Sequence, residues 1–511
     1  MAYKWAVLLC LMPGITVFLI DITVVNVALA RLGTVFAVEV STVQWAITGY
    51  ALASGVATPM ASFVEARLTM KRVWVLALAT FTAASALCGM APAFWVLIVG
   101  RLLQGLAGGL MLPVAVSALF RAWPANQRGT ALGFFAIPLV AGPAFGPVVG
   151  GYIVTNLDWR LVFFINLPIG IASVLLAIFL LHPSQADPSK RLDWGGAILS
   201  SLGFGSALYG LSRVGTDGWD SLLVRGMIAF GLVCLVLLFV YELNRKDPLL
   251  DIRLFAIPQF LVANLVGWVS TVALFGAEFM LPLYLQNLRG LSAMETGLLL
   301  MPQGLSTAFA GPIAGRLVDR IGARFVVMFG FVLLGFNTWQ MTQITMDTPF
   351  DTLRWLVVVR GMALGCALQP TQLVSLSVVP DHLRTNASSL NNAMRNIVQS
   401  FGVAMLSTVV QTQSSVHAAV LSWGVRPDTA PGLFFSQLVA MVQSQLGLAG
   451  DAARSVATAM MLGQIRQQAA VLAFGDAYRI TFYAAVLALL VAAALPGRLS
   501  TRLDPSLLAG E

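Results

Sequence analysis

The feature that most constrains this chain is a series of apolar segments, each of membrane-spanning length, that runs through nearly all of its 511 residues. A membrane helix needs about 20 mostly apolar residues, because the bilayer core holds no water to satisfy an exposed backbone. The chain is 58% hydrophobic and 10% charged, with a mean hydropathy of +0.85, which excludes an ordinary soluble domain. The sequence predicts an all-α polytopic membrane protein. Its fourteen predicted helices lie at about 8–30, 42–63, 73–92, 94–119, 130–154, 161–181, 194–213, 224–242, 259–286, 294–315, 324–342, 354–379, 387–411 and 476–496.

The Lys and Arg residues are concentrated in alternate loops and near both ends of the chain. By the positive-inside rule these segments face the cytoplasm, so both termini are predicted to be cytoplasmic. This placement accounts for the formal charge of +8. Because no basic stripe carries interleaved aromatic residues, nucleic acid is not a predicted partner. Segment 412–475 falls on the opposite side, and its amphipathic stretches at 433–448 and 452–473 predict a helical hairpin at the outer surface.

An internal repeat divides the chain into two halves. Three landmarks recur in the same order at similar offsets, and they are the pairs Arg67 and Arg320, Arg101 and Arg360, and Arg128 and Arg384. The repeat predicts an N-terminal six-helix bundle at 1–185, two inserted helices at 186–250 and a C-terminal six-helix bundle at 251–511. Parallel repeats of this kind are typical of transporters with a central site between two rocking bundles.

Two charged residues lie well inside predicted helices of the first half. Asp21 lies near mid-depth of helix 1, where a carboxylate costs at least about 2.5–3.5 kcal/mol and is usually functional. An apolar setting disfavours the charged form, so Asp21 is a candidate proton carrier; the alternative is a neutral acid hydrogen-bonded to another helix. Arg101 keeps its charge and needs a partner or a water-filled cavity. It either pairs with Asp21 and tunes its proton affinity, or extends toward the helix end.

Other residues are candidates for a substrate cavity. Arg360 and Arg395 in the second half are interpreted equally well as structural ion-pair partners or as cavity residues. Glu278 would suit a cationic substrate. Trp45, Tyr50 and Trp268 would line an apolar pocket, although aromatic residues at such places more often serve in packing or as interfacial anchors.

The sequence predicts no enzyme and no cofactor. No phosphate-binding GxxxxGK loop is present, so ATP is not the expected energy source. The three histidines are scattered, and no GxSxG nucleophile motif occurs. A proton gradient is therefore the expected driving force.

A run of proline and glycine within one apolar segment predicts a bent and closely packed helix. Proline breaks a soluble helix, but neighbouring helices in a membrane bundle re-satisfy the freed carbonyl groups. Glycines along one face let another backbone approach closely. The residues concerned are Gly142, Pro143, Gly146, Pro147, Gly150 and Gly151.

These motifs together resemble the major facilitator superfamily, and within it the fourteen-helix drug:proton antiporter branch (EmrB/QacA-like). The resemblance covers nearly the whole chain. It implies that Asp21 carries the proton and that Arg101 takes part in proton transfer. It implies further that the proline–glycine helix belongs to an antiporter, and that Asn26 and Gln104 belong to the helix motifs of the transport path. The matching stretches are Leu19–Leu29, Arg101–Gly105, Gly142–Gly151, Trp159–Gly170 and Pro282–Gly297.

The cytoplasmic gate motif of the family, GxLxDRxG, is intact only in the second half. There it comprises Gly315, Asp319, Arg320 and Gly322. In the first half, Ala66 takes the aspartate position, Thr69 the glycine position and Arg67 keeps the arginine. Glu65 is the candidate replacement for the missing acid.

The function expected from the sequence is proton-coupled export of hydrophobic or amphipathic small molecules across a bacterial inner membrane. The alternatives are a dedicated exporter of one endogenous compound (a fatty acid, siderophore or antibiotic), a proton-coupled importer, and a receptor or scaffold that transports nothing. Membrane lipid and a small-molecule substrate are the expected partners. The outer hairpin is either a docking site for a periplasmic adaptor and outer-membrane channel, or a lid over the cavity.

Overall fold

The computed structural model is helical throughout the residues that it describes, which are 3–183, 186–187, 193–245, 247–426, 428–448 and 450–497. Within helices, the side chains at 30, 40–41, 140–141, 143–144, 275–279, 293 and 446 also lie outside the described set. The α-helices are α1 (Tyr3–Phe36), α2 (Val40–Val43), α3 (Trp45–Ala57), α4 (Ala61–Leu68), α5 (Met70–Gly89), α6 (Phe94–Ala122), α7 (Arg128–Asn156), α8 (Leu161–Phe164), α9 (Asn166–Leu180), α10 (Trp194–Asp217), α11 (Leu222–Leu243), α12 (Pro258–Leu283), α13 (Ala293–Ile321), α14 (Ala323–Met341), α15 (Phe350–Ser377), α16 (Arg384–Trp423), α17 (Ala430–Leu446) and α18 (Asp451–Ala492).

Every segment predicted to span the membrane coincides with helix, and the all-α membrane fold is confirmed. Among the described residues, eight helices are long and apolar enough to cross a bilayer by these two criteria alone. The number of crossings stays a prediction. The second predicted helix is divided into α3 and α4 by a short 3-10 turn, Thr58–Met60, that contains Pro59. Proline removes a backbone donor, so the regular hydrogen-bond ladder is interrupted there.

The two halves pack side by side along two seams. In one seam, α7 of the first half and α13 of the second contact each other along their length. In the other, α4 and the turn before it contact α16. That contact lies at the end of the bundle that carries the gate motifs, called here the gate end. The opposite end carries α17 and is called the hairpin end.

The inserted helices α10 and α11 lie beside the second seam. α10 packs against α3 of the first half and against α16 of the second. Tyr209 of α10 stacks on Trp45 with ring centroids 5.8 Å apart. Beyond the end of α10, the Nε1 of Trp219 donates a hydrogen bond of 2.7 Å to the Oγ1 of Thr408 on α16. The inserted pair therefore bridges both bundles toward the hairpin end.

The outer segment at 412–475 is helical, and its two predicted amphipathic stretches lie in α17 and in the first half of α18, which pack against each other. α16 continues through its first part to Trp423, and the stretch at 452–473 forms the first half of α18. Only α17 is an additional helix. It packs on α18 through Leu438 and Val442, which join Ala457 and Met461 in a small apolar cluster of their own. The amphipathic pattern there reflects packing between extended helices.

Candidate proton-coupling and substrate site

Asp21 lies at the centre of a buried polar cluster in the first half. Its side chain is fully buried within α1. The carboxylate forms an ion pair with Arg101 of α6. It also accepts hydrogen bonds from the Nε2 of Gln104 at 3.1 Å and from the Nδ2 of Asn166 at 2.8 Å. Three donors from α6 and α9 therefore converge on one acid of α1.

Arg101 is held from three further directions. Its Nε donates to the carbonyl oxygen of Ala46 at 2.9 Å, and its Nη1 donates to the Oε1 of Gln104 at 2.9 Å. The guanidinium carbon lies 4.2 Å from the ring centroid of Tyr50, a cation–π contact. Because α1, α3, α6 and α9 all contribute, a change of charge on Asp21 affects contacts on four helices.

Ser85 of α5 forms a second layer behind this cluster. Its Oγ accepts hydrogen bonds from Gln104 at 3.2 Å and from Asn166 at 2.9 Å, and it donates to the carbonyl oxygen of Phe163 at 3.0 Å. The sequence singled out neither Ser85 nor Asn166 as a site residue. Asn166 stood within a recognised motif, whereas a lone serine in an apolar helix carries no distinguishing signal.

The glycines of α7 bring its backbone against α1 on the same side. An added Cβ at Gly146 would lie 1.8 Å from the Oγ1 of Thr23, and one at Gly142 would lie 2.5 Å from the Cβ of Leu19. Thr23 also donates a 3.0 Å hydrogen bond to the carbonyl oxygen of Gly142. α7 runs as one helix through this region. The predicted close approach of α7 to α1 is therefore present, at residues of α1 that lie two positions from Asp21 in the sequence.

The other residues of the proline–glycine motif have different surroundings. Gly151 faces Met294 of α13, with a hypothetical Cβ 3.5 Å from the Cβ of Met294. Gly150 faces Val24 of α1. Pro147 is half-buried, and the side chain of Pro143 is outside the described set.

The intact gate motif of the second half binds the start of a helix from the first half. The carboxylate of Asp319 accepts hydrogen bonds from the backbone N–H groups of Gly129 at 2.9 Å and Thr130 at 2.8 Å. It also accepts one from the Oγ1 of Thr130 at 2.6 Å. These residues begin α7, so the acid lies at the positive end of a helix dipole. Gly315 permits the approach, because a Cβ there would lie 2.2 Å from the carbonyl oxygen of Gly129. Arg320 is exposed.

The altered gate motif of the first half keeps the backbone conformation of the intact motif, but its acid does not accept hydrogen bonds as Asp319 does. Glu65 is buried and lies 2.7 Å from Arg121, an ion pair that lacks the alignment of a hydrogen bond. Thr69 adopts φ 82° and ψ 149°, nearly the conformation of Gly322 at φ 94° and ψ 160°. A β-branched residue is strained there. Arg67 is exposed.

A linker after the inserted helices joins both bundles at the gate end. The carbonyl oxygen of Leu249 accepts hydrogen bonds from Ser62 of α4 at 3.2 Å and Asn386 of α16 at 2.9 Å. The backbone N–H of Leu249 donates to buried Glu242 of α11 at 3.1 Å. Asn386 in turn accepts from the N–H of Asp251 at 2.7 Å. This junction could not be predicted from the sequence, because none of its residues belongs to a distinctive motif.

The predicted cavity residues separate into two groups. Tyr50 and Gln104 are buried in the cluster around Asp21, and Arg360 is buried with its Nη2 donating to the carbonyl oxygen of Leu274 at 2.7 Å. Of the predicted residues whose side chains the structure describes, Trp268 and Arg395 line a cavity in the second half between α12, α15 and α16.

The remaining predicted residues lie apart from this cavity or outside the described side chains. Asn26 and Trp45 are exposed. Glu278 lies on α12 with its side chain outside the described set. In the described part of the chain, no group of three His, Cys, Asp or Glu residues could hold a metal ion.

Comparisons with known proteins agree with this architecture. Residues 11–403 match the family model of the Major Facilitator Superfamily. The uncharacterized MFS-type transporter YhcA of Bacillus subtilis is 33% identical over 81% of this chain and 77% of its own length. The multidrug export protein EmrB of Escherichia coli is 28% identical over 86% of each chain. The solved proton:xylose symporter XylE has a TM-score of 0.60 at 13% identity, covering 96% of this chain and 94% of its own, which shows the fold alone. The chain thus belongs to the major facilitator superfamily, and multidrug export proteins of the EmrB type are among its relatives.

Proposed function

We propose that this protein exports hydrophobic or amphipathic small molecules in exchange for protons, by alternating access between two bundles. The observation that carries the proposal is the buried cluster in which Arg101, Gln104 and Asn166 all donate to Asp21. A buried, ionisable acid next to a permanent cation is an expensive arrangement in a membrane. Such residues usually mark an ion pathway. The sequence has no GxxxxGK loop for binding ATP, so a proton is the expected coupling ion.

Protonation of Asp21 would alter the packing of the helix on which the transport movement depends. A neutral carboxyl no longer attracts the Arg101 guanidinium as an ion pair. Arg101 keeps its bonds to the Ala46 carbonyl and to Gln104, so it has partners in either state. Protonation therefore removes the ion pair that joins α1 to α6, while α1 remains packed against the glycines of α7.

This difference between the two protonation states supplies the coupling. A proton binds one conformation better than the other, and substrate binds the opposite one better. The contacts of Asp319 with the start of α7, and of Ser117 on α6 with Thr385 on α16, hold the gate end together in the present conformation. With both termini in the cytoplasm, this conformation is closed to the cytoplasm. A proton arriving from outside at Asp21 then favours return, and substrate binding inside favours export.

The test is transport in proteoliposomes that hold purified protein and an imposed pH gradient. Asp21→Asn should abolish transport driven by the gradient, while downhill exchange of labelled substrate persists. Asp351→Asn, which changes an exposed acid at the start of α15, is the matched control and should transport normally. Unchanged proton-driven transport in Asp21→Asn would overturn the proposal, and movement of substrate with the proton would identify an importer.

A panel of chemically diverse compounds separates a multidrug exporter from a dedicated one. Cells that overproduce the protein should resist several unrelated amphipathic compounds. Resistance confined to one chemotype would support export of a single endogenous compound. Absence of any transport together with an indifferent Asp21→Asn phenotype would support a receptor or scaffold.

An adaptor at the hairpin end is part of the same proposal. The small apolar cluster holds α17 against α18 at this end of the bundle. Co-purification of a periplasmic adaptor encoded beside the gene would support docking. Efflux that is complete in proteoliposomes containing this chain alone would favour the lid.

A further inference from the structure

The cavity in the second half has an unusual wall for a membrane bundle. It is a half-open cleft with about 430 Å³ of space, part of which is open to solvent. Polar side chains from three helices line it, among them Asn264, Trp268, Thr271, Gln372, Asn391 and Arg395. Polar residues inside a membrane bundle are expensive and mark substrate or ion pathways.

Arg395 brings a permanent positive charge to this wall without a counter-ion. In the part of the chain that the structure describes, its hydrogen bond is from Nη2 to the Oδ1 of Asn392 at 3.0 Å, and no carboxylate contacts it. A guanidinium has five N–H donors and cannot lose its charge in a protein. Most of its donors are therefore unused beside an open cavity.

The fold itself does not require an arginine at this position. The offset that aligns Arg128 with Arg384 in the internal repeat aligns Arg395 with Leu139 of α7. Leu139 is partly buried and packs against the apolar core. The same place in the first half is thus filled by an aliphatic side chain, so the charge serves something specific to the second half.

A second donor in the same wall lacks a partner. Within the described residues, the Nε1 of Trp268 is buried and makes no hydrogen bond. An indole nitrogen donates only, and a buried donor left unpaired costs about 1–3 kcal/mol. A ligand that accepts hydrogen bonds from both Trp268 and Arg395 would remove that cost, whereas a cationic ligand would meet the charge of Arg395.

We propose that this cavity is the subsite for the carboxylate of amphipathic organic acids, with Arg395 as the anion-binding residue and Trp268 as a second donor. The proposal rests on the transport function argued above, and it names the substrate class. A guanidinium binds a carboxylate through two parallel hydrogen bonds, which gives both affinity and orientation. The apolar body of the acid would then extend toward the space between the bundles.

Charge movement follows directly from this assignment. Exchange of one inward proton for one outward neutral molecule moves one positive charge inward. Exchange for a monoanion moves two, so export of an acid is driven more strongly by the membrane potential. A carboxylate and its uncharged amide therefore differ in the current that they produce.

The test is calorimetric binding to the purified full-length protein with three probes of similar shape: 2-naphthoate, 2-naphthamide and 2-naphthylmethyl-trimethylammonium. The wild type should bind naphthoate most tightly and the ammonium least. Arg395→Gln should weaken naphthoate binding by about 10- to 100-fold and leave naphthamide nearly unchanged, since a charged hydrogen-bonded pair contributes about 1.5–3 kcal/mol. The naphthoate affinity of Arg395→Lys should lie between those of the wild type and Arg395→Gln, because lysine keeps the charge but loses the bidentate geometry.

Arg354→Gln is the matched control, since it removes an exposed arginine at the hairpin end and should leave all three affinities unchanged. Elution as a single species in gel filtration checks that each variant is folded. Three results would each overturn the assignment. Arg395→Gln could lose affinity for naphthoate and naphthamide equally, the wild type could prefer the ammonium probe, or it could bind no probe. Proton-coupled transport of other compounds would survive those results, so the two proposals fail separately.

Discussion

The two halves of the protein each bury an arginine at the corresponding place, Arg101 and Arg360, but they use the surrounding space differently. In the first half, Asp21 and three polar neighbours close around Arg101, and the site is packed shut. In the second half, another arginine, Arg395, lines an open cavity, and among the described residues no carboxylate contacts it. The two halves therefore differ in chemistry: one arginine is neutralised inside the bundle, and the other lines a cavity.

The gates show a parallel difference. Asp319 accepts three hydrogen bonds at a helix start, whereas Glu65 has one ion pair with the half-exposed Arg121. Asp319 thus joins the two halves at the gate end, whereas the Glu65–Arg121 pair joins α4 and α6 within the first half. Four measurements would break or sharpen these comparisons.

The largest expected effect comes from breaking the closed arginine site. Arg101→Gln leaves the Asp21 charge buried without its cation, and we expect a loss of about 3–5 kcal/mol in the free energy of unfolding. Arg395→Gln removes a charge that has no counter-ion and should cost less than about 1 kcal/mol. Chemical denaturation in mixed micelles measures both.

The double variant Asp21→Asn/Arg101→Gln provides the internal control. It removes both charges, so it should recover much of the stability lost in Arg101→Gln. Equal losses for Arg101→Gln and Arg395→Gln would mean that the two halves do not differ as the geometry indicates.

The next effect concerns the contact between α1 and α7. Gly146→Ala would place a Cβ against Thr23, and overpacking of this kind costs about 1–3 kcal/mol. Gly402 occupies the corresponding place in the second half, where a Cβ would lie 3.3 Å from the Cα of Val272. Gly402→Ala should therefore be milder. Thermal unfolding in detergent compares the two, and a larger loss for Gly402→Ala would contradict the asymmetry.

The gate acids should differ by a smaller amount. Asp319→Asn removes a charge at the start of α7 and should weaken closure of the gate end by about 1–2 kcal/mol. Glu65→Gln should weaken it less, because the ion pair of Glu65 with Arg121 joins α4 and α6 within the first half. Distances between spin labels on the gate ends of α6 and α16, and of α7 and α13, report the populations of molecules with a closed and an open gate end. A wider opening in Glu65→Gln than in Asp319→Asn would reverse the ranking.

The smallest effect is a gain. Thr69 has a positive φ, a region that favours glycine, so Thr69→Gly should raise the free energy of unfolding by about 1 kcal/mol. The gain is reduced by loss of the 3.4 Å hydrogen bond that Thr69 accepts from the N–H of Arg72. Gly322→Thr is the converse change and should destabilise. A loss of stability in Thr69→Gly would show that the turn is held by the threonine side chain.

Much of the fold could be read from the sequence, because burial in a membrane imposes a local signal. A segment of about 20 apolar residues must form a helix wherever it lies, since its backbone has no other partner. The helix positions, Asp21, Arg101 and the glycine face of α7 were all found in this way. In the outer segment the sequence predicted the two amphipathic helices, but it did not show that α16 and α18 extend into this segment from the bundle, because helical periodicity does not reveal where a neighbouring helix ends.

The tertiary structure decided which of those residues meet. Asp21 contacts residues of α6 and α9, and Ser85 and Asn166 gain their role only from that convergence. Whether an arginine is neutralised or faces a cavity depends on side chains from distant helices, as Arg101 and Arg395 show. The sequence by itself determined the helices and the charges that they carry, because both are properties of short segments. The packing of distant segments alone determined which charges are paired, because an ion pair requires atoms that the chain does not bring together locally.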